Sequence, residues 1–266
     1  TVTAGGAPAM KLDSASNISL SNNDSGSSTI FGKNAGAAMG GAAGRNSFFG
    51  EGVGQILAGA ADDNTAIGYH SFDAADGTES YNTAVGSLSM SAIDEGSGSA
   101  NYNTCIGYNA GFGGATAEFS SNVAIGANAL DGTTTQSIEY VVAIGRNALG
   151  GAAEDEVSGS IAIGLSALGA LTTGAENVAV GYTALTGLTT GAANTVIGHN
   201  AGNAMVLGES NNVVIGTDAM GNVNEGTAGG DANNNVAIGK DALYGGTFGS
   251  DLQLEGNVAI GAGAMD

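Results

Sequence analysis

The sequence predicts an all-β protein, a parallel β-solenoid built from short repeated strands. A glycine that follows a short apolar stretch recurs thirteen times, at spacings of 17 to 23 residues. Glycine makes up 48 of the 266 residues, while Trp is absent and aromatic residues reach only 5%, so the interior must be narrow. Hydrophobic residues still reach 42%, a globular share that excludes a disordered chain.

The recurring glycine, here called the anchor, organises residues 28–266 into thirteen copies. Repeats of this length are typical of stacked coils, in which each copy adds one coil to a column. The length variation lies in a closing segment rich in Gly, Thr, Ser and acidic residues, as expected for loops at one edge. Glycine at the anchor permits a positive φ or a close backbone approach where the strand turns. The anchors are Gly32, Gly50, Gly68, Gly86, Gly107, Gly126, Gly145, Gly164, Gly181, Gly198, Gly216, Gly239 and Gly261.

A strand is predicted just before each anchor. The residue one before the anchor is Ile in nine copies and Val or Phe in the others, which indicates a buried β position. The residue two before is usually Ala, and the residue four before, the asparagine position, is Asn in ten copies. Strand side chains alternate between faces, so Val and Ile share one face while Asn and Ala share the other. The asparagines are expected to form a hydrogen-bonded ladder between coils; they are Asn46, Asn64, Asn82, Asn103, Asn122, Asn177, Asn194, Asn212, Asn235 and Asn257.

A second short strand is predicted after the anchor, as in residues 128–130 and 241–243. Ala stands three residues after the anchor in ten copies, usually followed by Leu, Met or Gly. Helices are disfavoured there, because each interior helical glycine costs about 1 kcal/mol relative to Ala. A coil of two short strands encloses little volume and would leave the Asn/Ala face exposed in a monomer. We therefore expect an obligate homo-oligomer, most simply a trimer, that buries this face.

Residues 1–27 lack the repeat and are predicted to be a separate attachment or stalk segment. Leu12, Ile18 and Leu20 are sparse apolar residues among Asn and Ser, which suggests a pair of strands there. The chain starts at Thr1 and stops within a copy at Asp266, as a processed or trimmed product would.

The charge excludes several classes of partner. A net charge of −20, with only 5 Lys and Arg, repels phosphate backbones and anionic lipid. No apolar run approaches the roughly 18 residues of a membrane span, so neither nucleic-acid binding nor membrane insertion is expected. The carboxylates scatter through variable loops such as residues 154–156; no cofactor is expected, and isolated calcium sites in loops stay open as an alternative. The acidic residues are interpreted as a coat that keeps the rods apart.

No catalytic constellation stands out in the sequence. His70 lies two residues after its anchor and His199 one after a different anchor, so their spacing is not that of a metal pair. Both are interpreted as turn residues. Cys105 occupies a position where most copies have Ala, which indicates a small packed side chain rather than a reactive thiol. The protein is therefore predicted not to be an enzyme, with no catalytic and no metal-ligating residues.

The sequence pattern of the copies resembles the repeats of a known group of fibrous proteins. Residues 64–69 read N-T-A-I-G-Y and residues 103–110 read N-T-C-I-G-Y-N-A. This pattern resembles the head repeats of trimeric autotransporter adhesins of the YadA type. It is similar also to the N-T-A-I-G-Y-N-A-L repeats of phage tail-fibre proteins. The resemblance implies a left-handed parallel β-roll of about thirteen coils over residues 28–266, assembled as a homotrimer, although the period here is longer and less regular.

The expected function is that of a non-enzymatic structural or adhesion protein. It would be the trimeric shaft or head of a phage tail fibre, or of a similar surface fibre, located outside the cell or on a virion. Its partners would be itself and a cell-surface receptor or glycan, contacted by loops that are longest between Gly86 and Gly107 and from Gly216 to Gly261. The alternative is a subunit of a self-polymerising extracellular filament, in which rolls stack end to end.

Overall fold

The chain folds as an all-β parallel solenoid in the computed structural model, and the described residues contain no helix. The prediction of an all-β parallel solenoid is confirmed. The structure describes residues 2–4, 7–12, 18–19, 28–39, 43–55, 61–73, 79–92, 100–113, 118–132, 137–151, 157–223, 232–245 and 254–265.

Twenty strands lie within these residues, most of them three residues long. They are β1 (Val2–Ala4), β2 (Ala7–Leu12), β3 (Ile18–Ser19), β4 (Thr29–Phe31), β5 (Ser47–Phe49), β6 (Thr65–Ile67), β7 (Thr83–Val85), β8 (Thr104–Ile106), β9 (Phe119–Ser120), β10 (Val123–Ile125), β11 (Ile138–Glu139), β12 (Val142–Ile144), β13 (Ile161–Ile163), β14 (Val178–Val180), β15 (Thr195–Ile197), β16 (Val213–Ile215), β17 (Ala232–Asn233), β18 (Val236–Ile238), β19 (Leu254–Glu255) and β20 (Val258–Ile260).

One parallel sheet runs the length of the repeat array. It contains thirteen strands, one before each anchor, in the order of the chain from β4 to β20. Equivalent residues pair directly, as Val123, Ala124 and Ile125 do with the same three positions of β12. Two further parallel pairs, β9 with β11 and β17 with β19, lie beside this sheet. At the N-terminus, β1, β2 and β3 form a separate antiparallel sheet, in which Leu12 is opposite Ile18.

The interior of the solenoid is narrow and is filled mainly by small side chains. The Ala two before the anchor and the Ala three after it are buried, and the Leu or Met four after it adds most of the bulk. Phe48, Phe72 and Phe119 are the largest fully buried side chains. Adjacent parallel strands are about 4.8 Å apart, so each inward side chain contacts its equivalents in neighbouring coils. This packing makes one continuous column of hydrophobic contacts.

The expectation about the two strand faces is wrong. In the single chain, the asparagines and the Ala beside them face inward and are buried, whereas the residue one before the anchor faces outward. Phe31 is 60% exposed, Ile67 is 42% exposed and Ile260 is 67% exposed. The alternation of side chains correctly predicts which residues share a face. Because Asn is polar, however, the face with Val and Ile was expected to be the inner one, and it is the outer one. An inward amide is stable here because its hydrogen-bonding groups are satisfied inside the coil.

The predicted strand after the anchor is also wrong, because the chain turns there. Asn128 and Leu130 have φ values of 54° and 52°, in the left-handed region that strands do not use. The same pair of conformations occurs at Asp241 and Leu243, with φ values of 56° and 50°. Each turn bonds to its neighbours: the Asn128 N–H donates to the Tyr108 carbonyl at 2.9 Å, and the Leu130 N–H donates to the Ala148 carbonyl at 3.0 Å. The turns therefore stack as regularly as the strands.

The anchor glycines are required by both conformation and space. Gly145 has a φ of 131°, and a Cβ built on it would lie 2.4 Å from the carbonyl oxygen of Gly164, the next anchor. At the other anchors from Gly32 to Gly239 the corresponding distance is between 1.8 and 2.6 Å. Gly261 follows the last strand, and its Cβ would meet no atom closer than 4.0 Å. Any side chain at an internal anchor would therefore collide with the backbone of the next coil.

This difference between anchors predicts unequal effects of the same substitution. Gly145→Ala combines an unfavourable φ, worth about 1–3 kcal/mol, with an overlap that adds about 1–3 kcal/mol. Gly261→Ala keeps the unfavourable φ without the overlap. Guanidinium unfolding should therefore show the larger loss of stability for Gly145→Ala, and equal losses for the two variants would contradict this account of the anchor.

Candidate functional site

The buried asparagines form a ladder that links successive coils. The Asn82 Nδ2 group donates to Asn64 Oδ1 at 3.1 Å and to the carbonyl of Ala100 in the next coil at 2.7 Å. Asn82 Oδ1 accepts hydrogen bonds from the backbone N–H and the Nδ2 of Asn103, both at 3.0 Å. One side chain thus bonds to the coils on both sides, with two donor and two acceptor contacts in use. A buried amide satisfied in this way stabilises the stack rather than destabilising it.

The ladder has two segments, separated by two coils. Val141 and Ser160 stand at the asparagine position between them, and both are buried. The Val141 N–H still donates to Asn122 Oδ1 at 3.0 Å, and the Asn177 N–H donates to Ser160 Oγ at 3.2 Å. Valine has no side-chain acceptor, so side-chain bonding is interrupted at Val141. The segments are Asn46, Asn64, Asn82, Asn103 and Asn122, and then Asn177, Asn194, Asn212, Asn235 and Asn257.

The outward strand face is a row of mostly apolar side chains that runs along the thirteen-stranded sheet. We define it as the first and third residues of each of the thirteen strands before the anchors. The third residue is Ile, Val or Phe in every copy, and the first is Val, Ile, Thr or Ser. These side chains are half-buried or exposed in the single chain, Val258 at 63%. A long row of partly exposed apolar side chains is typical of an interaction surface.

Charge is arranged around this face in an unusual way. None of its 26 residues is charged, although the whole chain has a net charge of −20. Four of the five cations lie beside it: Lys33, Arg146 and Lys240 directly follow anchors, and Arg45 stands five before one. Lys33 Nζ lies 2.9 Å from Glu51 Oε1, and Arg45 Nε lies 2.7 Å from Asp63 Oδ1. The outward strand face is therefore nearly free of the negative charge that dominates the chain.

The two histidines lie far apart and in different contacts. His70 Nδ1 bonds to the Asp73 carboxylate, and burial raises the pKa of that carboxyl although the bond to His70 opposes the rise. His199 stacks on Tyr182 with ring centroids 5.1 Å apart. Seven coils separate the two histidines, on the order of 34 Å at the usual strand spacing, so they do not form a metal pair. Ser71 is buried and its Oγ donates to the Ala84 carbonyl at 3.0 Å, so this hydroxyl is engaged with the backbone rather than with His70.

No group of three or more His, Cys, Asp or Glu side chains that could hold a metal ion occurs among the residues the structure describes. Residues 154–156, and most of the long loops expected to contact a receptor, lie outside them. Nor does the described part of the chain contain a helix long and apolar enough to cross a membrane.

Cys105 stands in the row of inward alanines and is fully buried. Burial raises the pKa of its thiol to about 12. A thiol that stays protonated is a poor nucleophile, because the thiolate is the reactive form.

Exposed tyrosines are a feature that the sequence interpretation missed. Tyr81, Tyr102 and Tyr140 stand five residues before their anchors, a place we call the corner position, and each is more than half exposed. Tyr81 and Tyr102 stack with ring centroids 4.9 Å apart and an interplanar angle of 1°. Their equal distance from the anchor was a signal in the sequence, because equivalent positions must stack in a parallel solenoid.

Searches against protein-family models, curated proteins and solved structures find no significant match to this chain.

The ladder predicts that a single internal asparagine contributes strongly to stability. Asn82→Ala leaves the Asn103 N–H and the Ala100 carbonyl buried without partners, at about 1–3 kcal/mol each, so urea unfolding should show a loss of about 2–6 kcal/mol. Asn82→Ser should lose less, because Ser160 Oγ already accepts a backbone N–H at this position. The control Asn222→Ala removes an exposed contact and should change stability by less than about 0.5 kcal/mol; equal losses for Asn82→Ala and this control would contradict the ladder.

The buried thiol predicts a specific dependence on pH. The folded chain keeps Cys105 protonated up to pH about 12, whereas in the unfolded chain the thiol ionises near its ordinary pKa of about 8.5. Stability contributed by this group is thus complete at neutral pH and falls as pH rises between these values. Unfolding measured at pH 8 and pH 10.5 should show a larger loss for the natural chain than for Cys105→Ala, and identical losses would show that the thiol is not protected.

Proposed function

We propose that the chain is a non-enzymatic subunit of a trimeric fibre that acts in attachment to a cell surface. Thirteen coils, wound as a left-handed roll, would form the rod of each subunit. Three rods would pack side by side through the outward strand face. The rods would lie outside the cell or on a virion, with residues 1–27 at the attachment end. The long loops would contact a receptor or glycan.

The observation that carries this proposal is the uncharged apolar row of the outward strand face. Burying apolar surface stabilises association by about 25 cal/mol per Å². An Ile, Val or Phe that is half-buried or exposed in every coil would leave a long apolar row in contact with water on a monomer. Covering the whole row needs a partner of the same length and spacing, and another copy of this chain has both.

The distribution of charge supports a symmetric assembly. Three chains would together carry roughly −60, so association is favourable only where the contacting surfaces lack acid. The outward strand face has no carboxylate, and Lys33, Arg146 and Lys240 flank it. The remaining carboxylates would face solvent and keep separate fibres apart.

A charge placed on the outward strand face should dissociate the assembly. Ile67 and Ile197 are 42% and 39% exposed in the single chain, so replacing both with Glu need not disturb the interior. In an assembly the new carboxylates would be buried without partners, at a cost of several kcal/mol. Analytical ultracentrifugation at micromolar concentration should give a trimer for the natural chain and a smaller species for the double variant.

Thr190→Glu is the matched control, because Thr190 is exposed outside this face and its substitution should leave the trimer intact. A folded monomer for the natural chain would overturn the trimer. Electron microscopy should show discrete rods, on the order of 58 Å long for twelve steps of 4.8 Å. Indefinite filaments would instead support end-to-end polymerisation, and turnover of host glycans by the purified protein would overturn the non-enzymatic assignment.

A further inference from the structure

The corner position forms a column of side chains along the solenoid. Tyr81, Tyr102, Ser121 and Tyr140 occupy it in four successive coils, with φ values of 64°, 61°, 61° and 58°. Their backbones stack in register, since the Tyr102, Ser121 and Tyr140 N–H groups each donate to the equivalent carbonyl of the preceding coil at 2.9 to 3.3 Å. Rings at successive levels stack directly, as the pair Tyr81 and Tyr102 does.

Ser121 interrupts this column of rings. At its level there is a hydroxymethyl group where the coils on either side present tyrosine rings. Tyr102 and Tyr140 are 62% and 65% exposed, more than Tyr81 at 51%. Two steps of the 4.9 Å spacing seen between Tyr81 and Tyr102 separate the levels of Tyr102 and Tyr140, which places them about 10 Å apart. The serine thus leaves an open slot between two tyrosine levels.

The width of the slot selects among occupants. Carbon atoms in contact lie about 3.5–4.0 Å apart, so a flat ring sandwiched between two others needs a spacing of only about 7–8 Å. A tetrahedral ammonium group at the centre of a slot about 10 Å wide would lie about 5 Å from each ring level. That distance is within the limit of about 6 Å for attraction between a cation and an aromatic face.

The charged residues near the slot also favour a cation as the occupant. Residues 100–151 contain Glu118, Asp131 and Glu139 but a single cation, Arg146, which lies beyond the far end of β12 from Tyr140. Glu139 is the last residue of β11 and directly precedes Tyr140, and Glu118 is exposed just before β9. The potential around the slot is therefore negative, which favours a cation and opposes phosphate-bearing rings such as nucleotides.

We infer that the slot between Tyr102 and Tyr140, at the level of Ser121, binds a quaternary ammonium group of the choline type. The two tyrosine rings supply the faces and the acidic surroundings supply the long-range attraction. A methylated ammonium suits such a site better than a lysine amine, because it gives up little hydration when aromatic rings surround it. The site does not depend on the proposed trimer or on the fibre function.

Filling the slot is the direct test. Ser121→Tyr would extend the stack through the gap, and tyrosine is already accommodated at three neighbouring corner positions with the same φ. Saturation-transfer NMR with choline chloride should show binding to the natural chain in the millimolar range. Ser121→Tyr and Tyr140→Ala should each weaken binding at least tenfold, and Tyr140→Phe should retain it because the ring remains.

Ala193→Tyr is the matched control. It adds a tyrosine at another exposed corner position with a φ of 57°, away from the slot, and should leave choline binding unchanged. Melting temperatures and sedimentation of all variants separate a filled slot from a damaged fold or a changed assembly. Absence of choline binding to the natural chain, or equal binding by Ser121→Tyr, would overturn the inference whatever the oligomeric state.

Neutral probes test the role of charge. 3,3-Dimethylbutanol has the shape of choline without its charge and should bind at least tenfold more weakly, as should methyl glucoside; equal binding of either would overturn the ammonium assignment. Phosphatidylcholine and phosphatidylethanolamine vesicles identify the source of the ligand. Binding of free choline together with phosphatidylcholine vesicles supports a lipid headgroup, and binding of free choline alone supports a small solute.

Discussion

Successive anchor glycines approach each other so closely that they determine how the coils stack. The carbonyl oxygen of each internal anchor occupies the space where a Cβ of the preceding anchor would lie, 2.4 Å away in the case of Gly145. Only glycine combines this approach with a φ near 130°. Because the contact recurs at one point of every coil, a shift of register would bring a side chain against that backbone. The anchors therefore determine how coils stack, and the variable loops can change length without altering the column.

Within the stacked coils, the asparagine ladder satisfies the buried hydrogen-bonding groups of a narrow interior. Small coils have too little apolar volume to hide their own backbone, and buried carbonyls without partners are costly. Each asparagine before Asn257 donates to a carbonyl of the next coil and accepts from a backbone N–H there, as Asn82 does with Ala100 and Asn103. Polar side chains thus form part of the interior, and Ala and Leu side chains fill the rest of its volume.

Much of this architecture could be predicted from the sequence, because stacking depends on spacing alone. The anchors gave the parallel sheet and its register. Alternation could not decide which strand face points inward, since that depends on hydrogen-bond partners from other coils, which periodicity does not reveal. The turns were missed although Asn128 and Asp241 are residue types that tolerate the left-handed region, because the following Ala and Leu looked like a strand. The tyrosine slot needed three-dimensional stacking, in which residues 19 apart become neighbours.

The inward position of the asparagines has a consequence for the outer surface. Alternation then forces Ile and Val outward in every coil, so the ladder that stabilises one chain also creates the apolar row that another chain could cover. A protein with a net charge of −20 could have kept such a row soluble by placing carboxylates within it, at the first residue of each strand. It has Thr, Ser, Val and Ile there instead, and carboxylates such as those of Glu51 and Asp63 stand beside the strands rather than on their outward face. The stability of the single chain and the association between chains thus depend on the same alternating pattern. If the strands were reversed so that the asparagines faced outward, the chain would lose both the buried ladder and the outward apolar row.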